Sequence, residues 1–318
     1  MIDWIKESME SCTLCPRMCR ASRSRGKTGY CGMTDEILIS RAALHMWEEP
    51  CISGESGSGT VFFSGCNMGC IYCQNYKISR NIYGRDELYR KVTPEELATV
   101  FLYLQEKGAL NINLVTPTHF IPQIAYAICL AKGRGLTLPV VYNSSGYERV
   151  ESLKRLEGLV DIYLPDFKYN NPKRAELYSK APDYPAVVRE ALAEMFRQVG
   201  SIEFDTETGL LKKGMIVRHL VLPDTNSDTK QILRYLKEQF GDEIYVSLMH
   251  QYTPIPEQLK DFPELRETVS DEQYDRCVRF AQNIGMENVY VQDSVAATES
   301  FIPDFGSFDK DMIDLIGG

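Results

Sequence analysis

From about residue 60 onward, short apolar runs alternate with longer stretches in which apolar positions recur at helical spacing. That is the pattern of strands separated by amphipathic helices. It predicts strands over 61–64, 111–115, 139–142, 160–165, 215–222, 244–249 and 288–291. Helices are expected over 93–107, 120–132, 147–156, just after Pro172, and over 187–199, 227–240 and 271–284. The clearest helix start is Thr93-Pro94-Glu95-Glu96. It offers a capping hydroxyl, a proline where no amide hydrogen is needed, and acids at the positive end of the helix dipole. Strands joined through helices must pair in parallel by right-handed crossovers. The fold class expected is therefore α/β, a partial (β/α)6-type TIM barrel of parallel strands, with a doubly wound sheet as the alternative that periodicity leaves open. In both, functional groups belong at the C-terminal ends of the strands.

The N-terminal stretch reads differently. Residues 10–35 are rich in Cys, Arg, Gly and Ser, and a flexible stretch, GESGSG over 54–59, follows. The expected division is an N-terminal Cys-rich, metal-binding extension with its linker over 1–58, then the barrel domain over 59–318.

Charge and composition narrow the class. A net charge of −9 leaves no electrostatic footprint for nucleic acid. No apolar run approaches the roughly 18 residues that cross a bilayer. The start, MIDWIKESMESC, lacks the apolar core of a signal peptide, so a cytoplasmic location is expected. Arg17, Arg20, Arg23, Arg25 and Lys27 form a local basic stretch. It reads as a solvated loop or as a docking patch for an acidic partner, and it would favour thiolates nearby.

Cysteine placement carries the chemistry. Of the ten cysteines, all but Cys129 and Cys277 lie between Cys12 and Cys73, and clustered thiols in a reducing compartment point to metal rather than disulfides. Cys66, Cys70 and Cys73 lie in SGCNMGCIYCQN (64–75), directly after the first expected barrel strand. Three thiolates in one loop would leave one iron of a cubane open to another ligand, since such clusters normally take four cysteines. A zinc site or a set of buried structural thiols is the alternative. Gly65 and Gly69 permit the turns such a loop needs. Cys12, Cys15, Cys19 and Cys31 form a second set, able to close a site around zinc or a second cluster. Cys51 reads as a loop thiol, while Cys129 and Cys277 read as core. His45 and His219 read as structural. Tyr147, Tyr163, Tyr169 and Tyr252, near expected strand ends, are candidates to line a pocket.

The order Cys66, Cys70, Tyr72, Cys73 resembles the CxxxCxφC signature of the radical S-adenosylmethionine (SAM) superfamily, in which φ is aromatic. The resemblance implies a 4Fe–4S cluster on those three cysteines and SAM chelated by the fourth iron. One electron would then split SAM to methionine and a 5′-deoxyadenosyl radical, which abstracts hydrogen from substrate. Tyr72 would pack on the adenine.

TVFFSGCNMGCIYCQN (60–75) is similar to the pyruvate formate-lyase-activating enzyme branch. YLPDFKY (163–169), VRHLVLPD (217–224) and LMHQYTP (248–254) resemble motifs that place Asp166, Lys168, Arg218 and His250 near SAM. CTLCPRMC, GYCG, TPTHFIPQI, YNSSGY and LPDFKY together resemble the PflX-type subgroup. Where activases carry a GGE stretch for the SAM amino group, this chain has Thr116, Pro117, Thr118 and His119. Thr116 and Thr118, with Asn143 and Ser145, are therefore further SAM-side candidates.

Three functions stay open at this point. One is an activase acting on a glycyl-radical enzyme. The second is a radical SAM enzyme acting on a small molecule or a protein residue. The third is a non-catalytic iron–sulfur, zinc or electron-transfer protein. The first two imply a flavodoxin- or ferredoxin-type electron donor.

Overall fold

The computed structural model describes residues 1–80, 82–292 and 303–316. Among these, ten strands form one sheet. In chain order they are β1 (Ile37–His45), β2 (Ser58–Phe63), β3 (Arg90–Val92), β4 (Ile112–Val115) and β5 (Val140–Ser144). Then come β6 (Ile162–Pro165), β7 (Glu203–Phe204), β8 (Leu211–Leu220), β9 (Tyr245–Met249) and β10 (Val289–Val291). The spatial order is β10-β9-β8-β6-β5-β4-β2-β1-β3, with β7 alongside β8. Every neighbouring pair from β2 to β10 along this path is parallel, so the sheet is mostly parallel and its crossovers are helical, as a partial barrel requires.

The antiparallel strands are the additions to the expected pattern. β1 pairs with β2 from Ile39↔Phe63 to His45↔Ser58, and β3 extends β1 on its other edge. Thus part of the N-terminal stretch belongs to the same sheet. The apolar run Ile37-Leu38-Ile39 is buried there. β8 starts at Leu211, earlier than the periodicity suggests, because its first residues pair with β7. The helix expected over 147–156 shrinks to Val150–Leu153 plus a 3-10 turn. Tyr147 is spent instead on a loop, its hydroxyl donating to Asp183 at 2.8 Å and its ring stacking on Tyr184.

The helix Pro94–Glu106 shows how local chemistry fixes an element. The Thr93 hydroxyl accepts from the Glu96 amide at 3.2 Å, and the Glu96 carboxylate accepts from the Thr93 amide at 2.6 Å. This reciprocal cap satisfies two otherwise orphaned donors. Leu97, Val100, Phe101 and Leu104 then share the buried face. In the helix Ile121–Gly133 the same logic corrects one expectation: Cys129 is exposed, because Ile121, Ile124, Ala125 and Ile128 occupy the inward face. Cys277 is core as expected.

What positions the site is an apolar layer inside the sheet's curve. Val141, Ile162, Leu164 and Ile216 pack there on Cys51 and Ile52 from the short helix Pro50–Ser53. Cys51 is thus a core thiol rather than a loop one, and burial pushes it up to about 11. Side chains alternate faces along a strand, so the residues two positions on point the same way. They are Asn143, Asp166 and Arg218. The layer is the floor, and these polar groups stand on it at the strands' C-terminal ends. Among the described residues no helix is long and apolar enough to cross a membrane.

Candidate functional site

The loop holding Cys66, Cys70 and Cys73 leaves β2 at Ser64. Gly65 has φ +86 and a Cβ there would approach the Cys31 carbonyl at 3.0 Å, while Gly69 has φ +61, so both turns favour glycine. The Ser64 carbonyl accepts from the His119 ring at 2.6 Å. Burial, then the Arg23 charge, pulls His119 down to about 3, so the imidazole is neutral and its Nε2–H fastens the strand end to the turn after β4.

The loop brings the three thiols near one another, and two of them feel it. Burial, then Cys66 and Cys70, pushes Cys73 up to about 12, and burial, then Cys70, raises Cys66. Hydrogen-bond donors already reach two of the sulfurs. The Met68 amide donates to Cys66 Sγ at 3.3 Å, and Ser179 Oγ donates to Cys70 Sγ at 3.0 Å. Behind Ser179 the hydroxyls continue. Tyr169 Oη lies 2.8 Å from Ser179 Oγ and donates to Tyr72 Oη at 2.7 Å. Tyr72 sits edge-on to Tyr169, Tyr178 and Tyr252, which fix its ring.

Facing the thiols is a buried ionic array. Asp166 accepts from Lys168 Nζ at 2.6 Å and from Arg218 Nε at 3.0 Å. Arg218 also donates to Asn143 Oδ1 at 2.6 Å and reaches Glu48 at 3.4 Å. Burial alone would raise Asp166, but Lys168 and Arg218 overrule it and hold the carboxylate below its ordinary range. Burial would likewise depress Lys168, yet Asp166 and then Cys70 keep it high. Asp166, Lys168 and Arg218 share a cavity of about 230 Å³ with Cys70, Tyr72 and Cys73, walled on its apolar side by Leu220 and Met249.

Other candidates fall elsewhere. Thr116 stands at the end of β4 with φ +60, which a β-branched residue rarely adopts, and its amide donates to the Asn143 carbonyl. Thr118 is buried, its hydroxyl donating to Glu148 at 2.6 Å. Ser145 accepts from the Tyr147 amide at 3.4 Å through its hydroxyl and from Tyr184 through its carbonyl. His250 is buried against the stacked ring of Tyr274, with Nε2 3.0 Å from the Val269 carbonyl. His219 is fixed between the Phe167 carbonyl and Thr229, as a structural residue. Of the tyrosines, Tyr169 and Tyr252 surround Tyr72, while the Tyr163 hydroxyl donates to Gln198 at 2.7 Å.

Glu148 gives a pH-dependent prediction. It is buried with Thr118 and Tyr142 as partners, and burial raises it to about 7. With the folded value above the unfolded one, its contribution is fully present below about pH 4.5 and is lost as pH rises through 7. Glu148→Gln cannot ionise. Its stability relative to wild type should therefore climb by up to about 3 kcal/mol between pH 4.5 and 8. Urea unfolding at both pH values measures this, and a difference independent of pH would refute the shift.

The N-terminal cysteines converge as a set. Burial is the largest cause raising Cys15 and Cys31, and the other thiols of the set add to it. Met18 and Arg20, between and beside them, take φ +44 and +51, a tight turn built without glycine. The basic stretch is not simply solvated. Arg23 is fully buried, donating to the Thr34 and His119 carbonyls and, at 3.8 Å, to Cys12 Sγ. Arg17 braces the Cys66–Cys73 loop, donating to the Asn67 carbonyl at 2.9 Å and the Ser179 carbonyl at 2.8 Å, with its guanidinium 3.8 Å over the Tyr30 ring.

Sequence reading missed Glu48, Glu49 and Ser179, and it took Arg17 only as one member of the basic stretch. Glu48 and Glu49 come from the β1–β2 connection and reach the array only through the fold; the signal available was two acids before Pro50 in HMWEEP.

Among the described residues, no three His, Cys, Asp or Glu side chains already stand as a metal-holding group. The donor chemistry at Cys66, Cys70 and Cys73 suits a cluster: three thiols, N–H and O–H donors to sulfur, and the Lys168 cation to balance thiolate charge.

Comparison with known proteins agrees with this geometry. Residues 60–236, more than half of the chain, match the radical SAM superfamily. The uncharacterized protein MJ0674 of Methanocaldococcus jannaschii is 26% identical over 295 residues, covering 91% of this chain and 79% of that protein. The uncharacterized protein MJ0808 of the same organism is 25% identical over 249 residues, covering 73% and 67%.

Proposed function

The chain belongs to the radical SAM superfamily, and from that premise we propose an enzyme that abstracts hydrogen from its substrate in the manner of the glycyl-radical-enzyme activases, within their PflX-type subgroup. Membership implies SAM cleavage at an iron–sulfur cluster. The observation that carries the residue assignment is the cavity uniting Cys70, Tyr72 and Cys73 with Asp166, Lys168 and Arg218.

On this reading Cys66, Cys70 and Cys73 would hold the 4Fe–4S cluster. When bound and reduced there, the cluster would supply the electron for reductive cleavage of SAM, the chemistry that makes hydrogen abstraction possible. Lys168 and Arg218 offer fixed cations to the carboxylate end of SAM, and Asp166 holds both in place. Asn143 keeps Arg218 aimed. Tyr72 presents its ring to the adenine, while Leu220 and Met249 exclude water. Ser179 and the Met68 amide would tune the potential through their bonds to sulfur.

The four N-terminal thiols are proposed to hold a structural metal, zinc or a second cluster. Arg23 supports this. A fully buried guanidinium whose hydrogen-bond acceptors are carbonyls and Cys12 Sγ calls for thiolate charge beside it. A second functional reading, chemistry on a small molecule or a single protein residue, is favoured by a compact chamber beside the cofactor cavity.

One anaerobic reconstitution tests these assignments. Iron, sulfide and zinc are counted, and reduced flavodoxin, ferredoxin or dithionite is supplied with SAM. The expected result is 5′-deoxyadenosine with methionine, and metal in excess of one cubane. Intact SAM in the presence of a fully loaded, reduced cluster would defeat the enzyme reading.

A further inference from the structure

Beside the cofactor cavity lies a second chamber of about 240 Å³, and the two share Arg218, Met249 and Gln251. Its walls include Glu48, Glu49, Ser247 and Tyr290, and Trp47, 63% exposed, stands at its rim. Two carboxyls that are almost entirely withdrawn from water therefore face one small space. The Glu48 side chain is 8% exposed and Glu49 is 8% exposed.

Their partners differ. Glu48 meets Arg218 and Asn143, each at 3.4 Å, which is long for either bond. Glu49 Oε2 is buried with no hydrogen-bond partner among the described residues. Such an atom is costly unless something satisfies it. Around the joined cavities three carboxyls, Glu48, Glu49 and Asp166, meet two cations, Lys168 and Arg218. Asp166 engages both cations closely, so Arg218 is left to serve Asp166, Glu48 and Glu49 together. Burial, opposed by Arg218, reinforced by Glu48 and opposed again by the Ser247 hydroxyl, pushes Glu49 up, so a further cation beside it would favour its charged form.

We propose that the chamber is the substrate subsite and that Glu49, seconded by Glu48, receives a cationic group of the substrate, a primary ammonium or a guanidinium. This deepens the function proposed above and rests on it for the word substrate. An N–H-bearing cation satisfies the orphaned oxygen and supplies the missing charge together. A neutral donor would meet only the first need. The volume admits a small amine or one basic side chain of a protein, and the shared wall puts either next to the cofactor.

The same chemistry could come from the α-ammonium of SAM itself, and the experiment separates the two. The reconstituted, SAM-loaded full-length protein is titrated calorimetrically, without reductant, with n-butylguanidinium and with its neutral isostere n-butylurea. The cation should bind the wild type roughly tenfold or more tightly than the urea. Glu49→Gln, of matching shape, should erase that preference while SAM still binds.

Equal binding of the two probes to wild type, a comparison that needs no variant, would overturn the subsite. So would an undiminished preference in Glu49→Gln. A loss of SAM affinity in step with the loss of cation binding assigns Glu49 to the cofactor's own ammonium and likewise overturns it. Because no turnover is involved, cation binding by a protein that never splits SAM would uphold the subsite while defeating the catalytic reading.

Discussion

Alanine at Cys66, Cys70 or Cys73 is expected to abolish 5′-deoxyadenosine formation, each substitution alone being sufficient. The reason is the ligand count. A cubane normally takes four cysteines. With three it keeps one iron open for SAM, and with two it lacks the thiolates that hold it. Neither Ser179 nor the Met68 amide can substitute, since both donate to sulfur rather than bind iron. Alanine is preferred to serine because a hydroxyl can still ligate. The measurement is SAM cleavage by anaerobically reconstituted protein, with iron and sulfide counted on the same sample. Cys129→Ala is the matched control, since that thiol is exposed on the helix Ile121–Gly133, remote in the sequence from both cysteine sets. Cleavage surviving in any of the three variants would show that the ligand set is wrong.

The sequence disclosed some of this well and some not at all, for physical reasons. The parallel core was legible because each strand is a short apolar run and each helix carries its own start signals, as Thr93 to Glu96 do. The cysteine loop was legible because its spacing is local. Asp166, Lys168 and Arg218 were nominated by resemblance, and the structure adds that they form one array. β1 and β3 were missed because an antiparallel addition at a sheet edge leaves no crossover signal, and Ile37–Ile39 lay in a segment dominated by its cysteines. Glu48 and Glu49 were invisible for a deeper reason. Their partners lie far along the chain, on β5, β8 and β9, and an acidic pair before a proline looks like any surface turn. Arg23 shows the converse error. A basic residue among glycines and serines reads as solvated, yet it is fully buried beside Cys12. Its side chain holds the N-terminal segment to the turn after β4.

The second large effect is expected at Asp166. Its carboxylate is the shared acceptor of two cations, and its side chain is 15% exposed. Asp166→Ala leaves Lys168 and Arg218 facing each other with their common counter-charge gone. Breaking a buried ion pair from one side typically costs about 3 to 5 kcal/mol, because the remaining charge stays desolvated. Glu48, at 3.4 Å from Arg218, recovers only part of this, while Lys168 has its ion pair with Asp166. Denaturant unfolding should show the loss, and SAM affinity should fall with it, since both cations would turn to new partners. Asp166→Asn keeps the shape and removes the charge, which separates packing from electrostatics. The sign with pH follows from the direction of the shift. Asp166 has its folded value held below the unfolded one, so its contribution is present above about pH 4 and is lost as pH falls through the folded value. The stability gap between wild type and Asp166→Asn should therefore be wide at pH 7 and close in acid. A gap that persists unchanged to pH 3 would mean that it does not come from the Asp166 charge, and the array would then not be the electrostatic unit that positions Arg218 and Lys168 toward the thiols.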